Sequence, residues 1–482
     1  MIKLSLITFH LSLLLACTPT PNDVRQVDAL PPIYPDYADV TIPVNIAPLN
    51  FLVGDDNCDA IEVQAGPLTL NARGNEVVFD IDEWKDLLAA GSDIQVTVTA
   101  RIDGQWLRYK PFNWHVVGDS LDAWLTYRLI EPDYEVWNRV EIRQRCTENF
   151  DEAPLADYEH QENRCMNCHT FGSQRSDLSM LYVRGSGGGA ILNEGGRLRK
   201  LDLKTDSLLS GSVYFGFSPS GRYIAFSTNL IIPAFHSQPR KRLEVYDSGS
   251  DVHVADLQMH RILRSPLLEQ NNVLETFPTF SPDGRFIYYC AADSVSLPSD
   301  VERLQYALVR IPFDEATGSF GTQVDTLFPS AATLLMQRKT SVCHPRVSPD
   351  GRYLLYTVAD YGTFPIWHPE ADLQLMDLQT GNIDTLGMVN GAKSDTYHSW
   401  SSNSRWFVFA SKRDDGLYGK PYFCYIDSNG HAHKPFCLPQ RHPRFYHHTL
   451  KSFNAPELGR GRVPFTPDDV ARAMQQEAEK FQ

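Results

Sequence analysis

Ser281-Pro282-Asp283-Gly284-Arg285-Phe286-Ile287-Tyr288-Tyr289 reads as a tight turn running into a buried strand, and three relatives of it recur along the chain. They are Ser218-Pro219-Ser220-Gly221-Arg222-Tyr223-Ile224-Ala225-Phe226, Ser348-Pro349-Asp350-Gly351-Arg352-Tyr353-Leu354-Leu355-Tyr356 and Ser401-Ser402-Asn403-Ser404-Arg405-Trp406-Phe407-Val408-Phe409. In Pro-Asp-Gly the proline presets φ and the glycine accepts the positive φ that closes the turn. The aromatic and aliphatic run that follows suits a strand covered on both faces. Successive copies begin 63, 67 and 53 residues apart, enough for several strands per unit. A strand repeat of that length predicts the blades of a β-propeller. The fourth copy has lost its Pro and Gly, which weakens the turn signal there. The repeat speaks to fold and hardly at all to chemistry.

Other blade halves match the same pattern, such as Leu373-Gln374-Leu375-Met376-Asp377-Leu378 before the turn Thr380-Gly381-Asn382. Leu178 to Val183 is expected to start the first blade and residues near 445–453 to close the ring. This gives a propeller of about six blades over 178–455. Upstream, 41–145 shows short alternating segments such as Ala60-Ile61-Glu62-Val63-Gln64 and Ile94 to Ile102. Alternation puts one face on a core and one in water, and predicts an immunoglobulin-like β-sandwich. Asp80 to Ala90 is expected to form a short helix between strands. Residues 456–482 are expected to be a helical tail: Thr466 as N-cap, Pro467 at the first position and two aspartates start a helix running to about Lys480.

Between these regions, in 146–177, stands Cys165-Met166-Asn167-Cys168-His169. Two thiols three positions apart can add across the two vinyl groups of one porphyrin, and the next histidine can take the iron axially. Cys165 and Cys168 are therefore the expected thioethers and His169 the proximal ligand of one covalent haem c. A half zinc site would want a second pair of ligands nearby, and a redox dithiol would want a βαβ setting; neither is evident. The distal ligand stays open. Met180 and His236 are the leading candidates, with His160, His344 and His398 behind them. One such motif excludes a multi-haem wire within the chain.

Residues 1–17 carry a basic Lys3, an apolar stretch from Leu4 to Leu15 and then Leu14-Leu15-Ala16-Cys17. The last four resemble the lipobox of bacterial lipoproteins. That resemblance implies cleavage before Cys17, lipid on its sulfur and anchoring in the cell envelope. Thr18 after the cysteine points to the outer membrane, facing the periplasm, and 18–40 to a tether. The export route supplies the compartment in which c-type attachment occurs. The net charge of −15 in 482 residues argues against nucleic acid as a partner, because phosphates would be repelled. Nine cysteines less Cys17 and the haem pair leave six. Cys58 with Cys146 and Cys424 with Cys437 are possible disulfides, and free buried thiols are equally allowed.

The four repeats resemble those of TolB-type β-propellers. The whole arrangement is similar to a group of bacterial lipoproteins in which a TolB-like propeller follows a cytochrome c motif. The resemblance implies a mainly β chain, anchored by lipid, with one haem. The expected function is a periplasm-facing mono-haem cytochrome whose propeller docks a redox or envelope partner. The alternatives are a binding or scaffold lipoprotein with a structural or sensory haem, and a peroxidase-type haem enzyme with a small substrate. Whether there is turnover stays open at this stage.

Overall fold

The computed structural model describes residues 19–54, 57–91, 93–131, 139–235, 243–329 and 341–482, apart from the side chains of 167, 168, 233–235 and 243. The signal stretch with Cys17 and the candidate ligand His236 lie outside the described residues. The chain is mainly β, and six of its sheets are the blades of a β-propeller.

Blade 1 comprises Met166–Phe171, Leu178–Val183, Gly189–Glu194 and Arg197–Asp202. Blade 2 comprises Ser212–Phe217, Tyr223–Phe235, Leu243–Asp256 and Arg261–Leu263. Blade 3 has Val273–Phe280, Phe286–Asp293 and Ala307–Asp314, edged by Ser319–Phe320 and Asp325–Phe328. Blade 4 runs through Ser341–Val347, Tyr353–Ala359, Asp372–Asp377 and Ile383–Asp384, and blade 5 through Asp395–Trp400, Trp406–Ser411, Lys420–Tyr425 and Phe436–Cys437. Blade 6 is composite. Its inner strand, Ser452–Gly459, comes from the end of the chain, and its outer three, Trp124–Ile130, Glu141–Cys146 and Glu152–Asp157, come from before blade 1. The first strands of successive blades lie side by side in cyclic order around one axis.

This closure moves the boundaries expected from sequence. Trp124–Ile130 and Glu141–Cys146 belong to blade 6, not to a sandwich ending at 145. There is no separate haem segment over 146–177, because Glu152–Asp157 completes blade 6 and Met166–Phe171 opens blade 1. The ring closes through Ser452–Gly459, so the propeller runs past 455. The N-terminal unit sets a mixed sheet of seven strands against one of three, rather than the four against three of an immunoglobulin sandwich. Its core, with Trp84 and Trp114 edge to face at 5.2 Å, is continuous with that of blades 4, 5 and 6. The short helix is present at Ile81–Ala89, capped by Asp80, whose carboxylate accepts from the N–H groups of Asp82 and Glu83. The tail helix stops at Met474, and Glu479–Lys480 then pairs in parallel with the outer edge of blade 1.

The repeated turns explain themselves at atomic level. In blades 2 to 5 the N–H of Gly221, Gly284, Gly351 and Ser404 donates to the carbonyl of the serine three residues earlier, at 2.8–3.0 Å. Ser404 takes the glycine position with φ +61°. Its hydroxyl accepts the Asp350 N–H of the neighbouring blade at 2.9 Å, a bond that glycine could not make. A long hairpin of blade 2 also reaches blade 4, where Glu244 and Glu370 hold the buried His368 at 3.2 and 3.0 Å. The two carboxylates raise the His368 pKa against the opposing effect of burial.

No disulfide joins the described cysteines 58, 146, 290, 343, 424 and 437, so the two proposed pairings are not formed. Cys58 and Cys146 belong to different sheets, and Cys437 lies opposite Tyr422 rather than Cys424. Ring closure itself should be measurable. Phe453 is 2% exposed and packs edge on to Tyr127 at 4.8 Å. Phe453→Ala is expected to cost about 3–5 kcal/mol in urea unfolding, through lost transfer energy and the cavity left in blade 6.

Candidate functional site

Each inner strand of the propeller carries a β-bulge at the same level. The register slips between Asn167 and Thr170, Val213 and Gly216, Thr276 and Thr279, Cys343 and Arg346, and Thr396 and His398, and opposite Thr126/Arg128 in blade 6. The extra residue lies four positions before the turn. In five blades it has a positive φ: Tyr214 +53°, Phe277 +54°, His344 +53°, Tyr397 +48° and Ala455 +47°. Such φ values are uncommon for bulky side chains, and bulges of this kind re-aim a side chain. Here the aim is the axis. Phe277 and His344 meet with tilted rings at 4.1 Å, Tyr214 and Phe277 edge to face at 4.4 Å, and His344 and Tyr397 at 4.6 Å. Close packing of the strands also explains Gly216: a Cβ there would lie 2.8 Å from the Pro278 carbonyl oxygen of blade 3.

In blade 1 the corresponding position is Cys168, so Cys165 to His169 runs along the innermost strand and through its bulge. Cys165 is partly buried, and its carbonyl accepts the Arg184 N–H at 2.9 Å. His169 turns toward blade 6, beside Arg128 and the main chain of Thr126 and Ala455. Its Nε2 is buried without a hydrogen-bond partner. Burial first, and the Arg128 charge second, push its pKa down to about 4, so the ring is neutral at physiological pH. A neutral imidazole with a free, enclosed nitrogen is what axial ligation of an iron requires, and on that observation His169 fits a haem.

Met180 does not fit as its distal partner. It is 2% exposed and packs with Leu178, Leu192, Phe215 and Phe226 between blades 1 and 2, on the other side of blade 1 from His169. The physical reason is strand alternation: Met180 pairs with Thr170, whereas the bulged Cys168–His169 pair lies opposite Leu181, whose side chain joins the cluster shared with blade 6. The weaker candidates separate as well. His160 is on the surface, bonded through Nδ1 to Asp157 at 2.7 Å. His398 is committed through Nε2 to the Leu355 carbonyl at 2.9 Å. His344 is 6% exposed with neither ring nitrogen paired.

Two charged groups on the axis escaped the sequence reading. Arg346 and Glu457 each stand two residues beyond their bulge, on blades 4 and 6. Glu457 Oε1 accepts the Phe171 N–H at 2.9 Å and the Thr170 hydroxyl at 3.3 Å, tying the inner strand of blade 1 to blade 6. Burial raises the Glu457 pKa to about 7, with the Arg346 charge opposing. The signal that could have found this layer was the constant four-residue offset between the bulge and the turn. Among the described residues no group of three or more His, Cys, Asp or Glu side chains converges as a metal site, and no helix is long and apolar enough to cross a membrane.

No family model matches this chain, and no curated protein matches it. Among solved structures it is similar to an oligogalacturonate lyase in complex with manganese, at 11% identity over 64% of this chain and 72% of the other, with a TM-score of 0.36. The periplasmic gluconolactonase of Pseudomonas aeruginosa is similar at 15% identity over 66% and 96%, TM-score 0.35. The tricorn protease is similar at 12% over 83%, TM-score 0.36, and this chain spans only 35% of it. The likeness is one of fold alone.

The Glu457 carboxyl yields a pH test with a definite sign. Its folded pKa of about 7 stands above the ordinary value of 4.5, so its share of stability is present below about 4.5 and lost as pH rises to about 7. Glu457→Gln keeps an acceptor oxygen and removes the charge. At pH 8 this variant should be more stable than the parent by about 1–3 kcal/mol, and at pH 4.5 the two should unfold alike.

Proposed function

We propose that this chain is a mono-haem c-type cytochrome of the cell envelope, anchored by lipid at Cys17, that passes single electrons to a partner docked on its propeller. The observation that carries the reading is His169 Nε2: buried, unpartnered and on a neutral ring, immediately after Cys165 and Cys168. When bound, the haem would supply a one-electron couple whose potential follows its ligands and enclosure. The chain's own residues do the rest. Cys165 and Cys168 would hold the group covalently, and His169 would offer Nε2. Burial, helped by the Arg128 charge, keeps the imidazole from taking a proton that would block its lone pair. The main chain of Thr126 and Ala455 fixes where the ring stands.

A second reading is favoured by one observation. Met180 faces away from His169, which suits an open sixth position and a haem that takes a small ligand or peroxide. The two readings differ in carbon monoxide binding: a ligand-inert, reversible couple supports electron transfer, and rapid uptake or peroxide turnover supports the enzyme. The shared premise is tested on the full-length protein exported in cells with a c-type maturation system. A haem-stained band should survive denaturing electrophoresis and disappear in Cys165→Ala/Cys168→Ala. Absence of that band in the parent would refute the cytochrome.

A further inference from the structure

The axial layer that holds His344 and Arg346 has a polar chemistry the haem reading does not use. His344 is 6% exposed and both its ring nitrogens lack partners, though its ring is fixed between Phe277 and Tyr397. Leaving a buried polar group unpaired is costly, so such groups normally face a water or ligand. Two residues on, the Arg346 side chain bonds only the carbonyl of its own neighbour, Pro345, at 3.3 Å. Glu457 attracts it through space but directs Oε1 at Phe171 and Thr170. A guanidinium has five N–H donors in a planar fork, so most of its capacity is left for something else.

We propose that the propeller axis binds a small carboxylate carrying a neighbouring hydroxyl or oxo group, with Arg346 gripping the carboxylate and His344 bonding the second oxygen. The fork of Arg346 matches a carboxylate bidentately, a charge-assisted pair with its own geometric specificity. A neutral imidazole offers one donor and one acceptor, which suits a hydroxyl as well as an oxo oxygen. The rings of Phe277 and Tyr397, 4.1 and 4.6 Å from that of His344, would give the ligand's carbon chain an apolar wall. This site does not depend on the haem.

Calorimetric titration of the full-length protein with lactate, and with acetate as the ligand lacking the hydroxyl, tests the assignment. Lactate should bind saturably and more tightly than acetate. Arg346→Met should weaken both by about tenfold or more, as expected for loss of a charge-assisted pair. His344→Phe, which copies the residue at the same level in blade 3, should abolish the preference for lactate and leave acetate binding in place. If circular dichroism shows Arg346→Met unfolded, Arg346→Gln takes its role. No saturable binding in the parent, or unchanged affinity in the folded Arg346 variant, would overturn the proposal. Equal affinity for lactate and acetate in the parent would overturn the part given to His344.

Discussion

The structure depends on one pairing: the antiparallel ladder between Ser452–Gly459 and Trp124–Ile130. A ring of sheets has no stable partial form at its seam, because an open first or last blade would expose strand edges and apolar faces. Here the seam lies within blade 6, whose inner strand arrives about three hundred residues after its neighbours. Each end of the propeller is thereby held by the other. The N-terminal unit is drawn into the same closure, since its core runs continuously into blades 4, 5 and 6. Asp119 and Asp122, just before the outer strands of blade 6, accept bonds from Trp406, Tyr425 and Ser402 of blade 5. The Trp406 bond goes to the Asp119 carbonyl and the other two to carboxylates. These contacts fix the seam from outside the ring.

Closure also sets what can happen on the axis. Six inner strands converge, and their inward edges have no further strand to pair with. In blades 2 to 5 the bulges use that freedom to turn one side chain inward, at a cost in backbone strain that the closed ring holds in place. The result is a layer of Tyr214, Phe277, His344 and Tyr397, with Arg346 and Glu457 one step beyond. In blade 1 the backbone bulge falls at Cys168–His169, so the Cys165 to His169 stretch belongs to the innermost strand of a blade and not to a module inserted between domains. Glu457 binds the main chain of Phe171, which couples the strand carrying His169 to the blade that closes the ring.

Much of this was legible in the sequence, for particular reasons. Ser-Pro-Asp-Gly with a buried run after it is a local signal, since proline, glycine and a short continuous apolar run act within a few residues. Ser404 shows the limit: without Pro or Gly the turn forms all the same, because a bond from the neighbouring blade supports it. The Cys165 to His169 spacing was visible whatever the surrounding fold, because it lies within five consecutive residues. Met180 was a reasonable distal candidate on spacing alone and failed because a bulge shifts strand parity, which spacing along the chain does not record.

The amino-acid sequence by itself determined the strands, the turns, the repeat and the CxxCH motif, since each rests on short-range geometry or on covalent chemistry. Tertiary structure alone decided which strands close the ring, and therefore that Trp124–Cys146 leaves the N-terminal unit for blade 6. It also decided which side of blade 1 His169 faces, and that His344, Arg346 and Glu457 meet on one axis. Those outcomes depend on pairing between segments hundreds of residues apart. Long-range register follows from how whole sheets bury their faces against one another, and no local pattern encodes it.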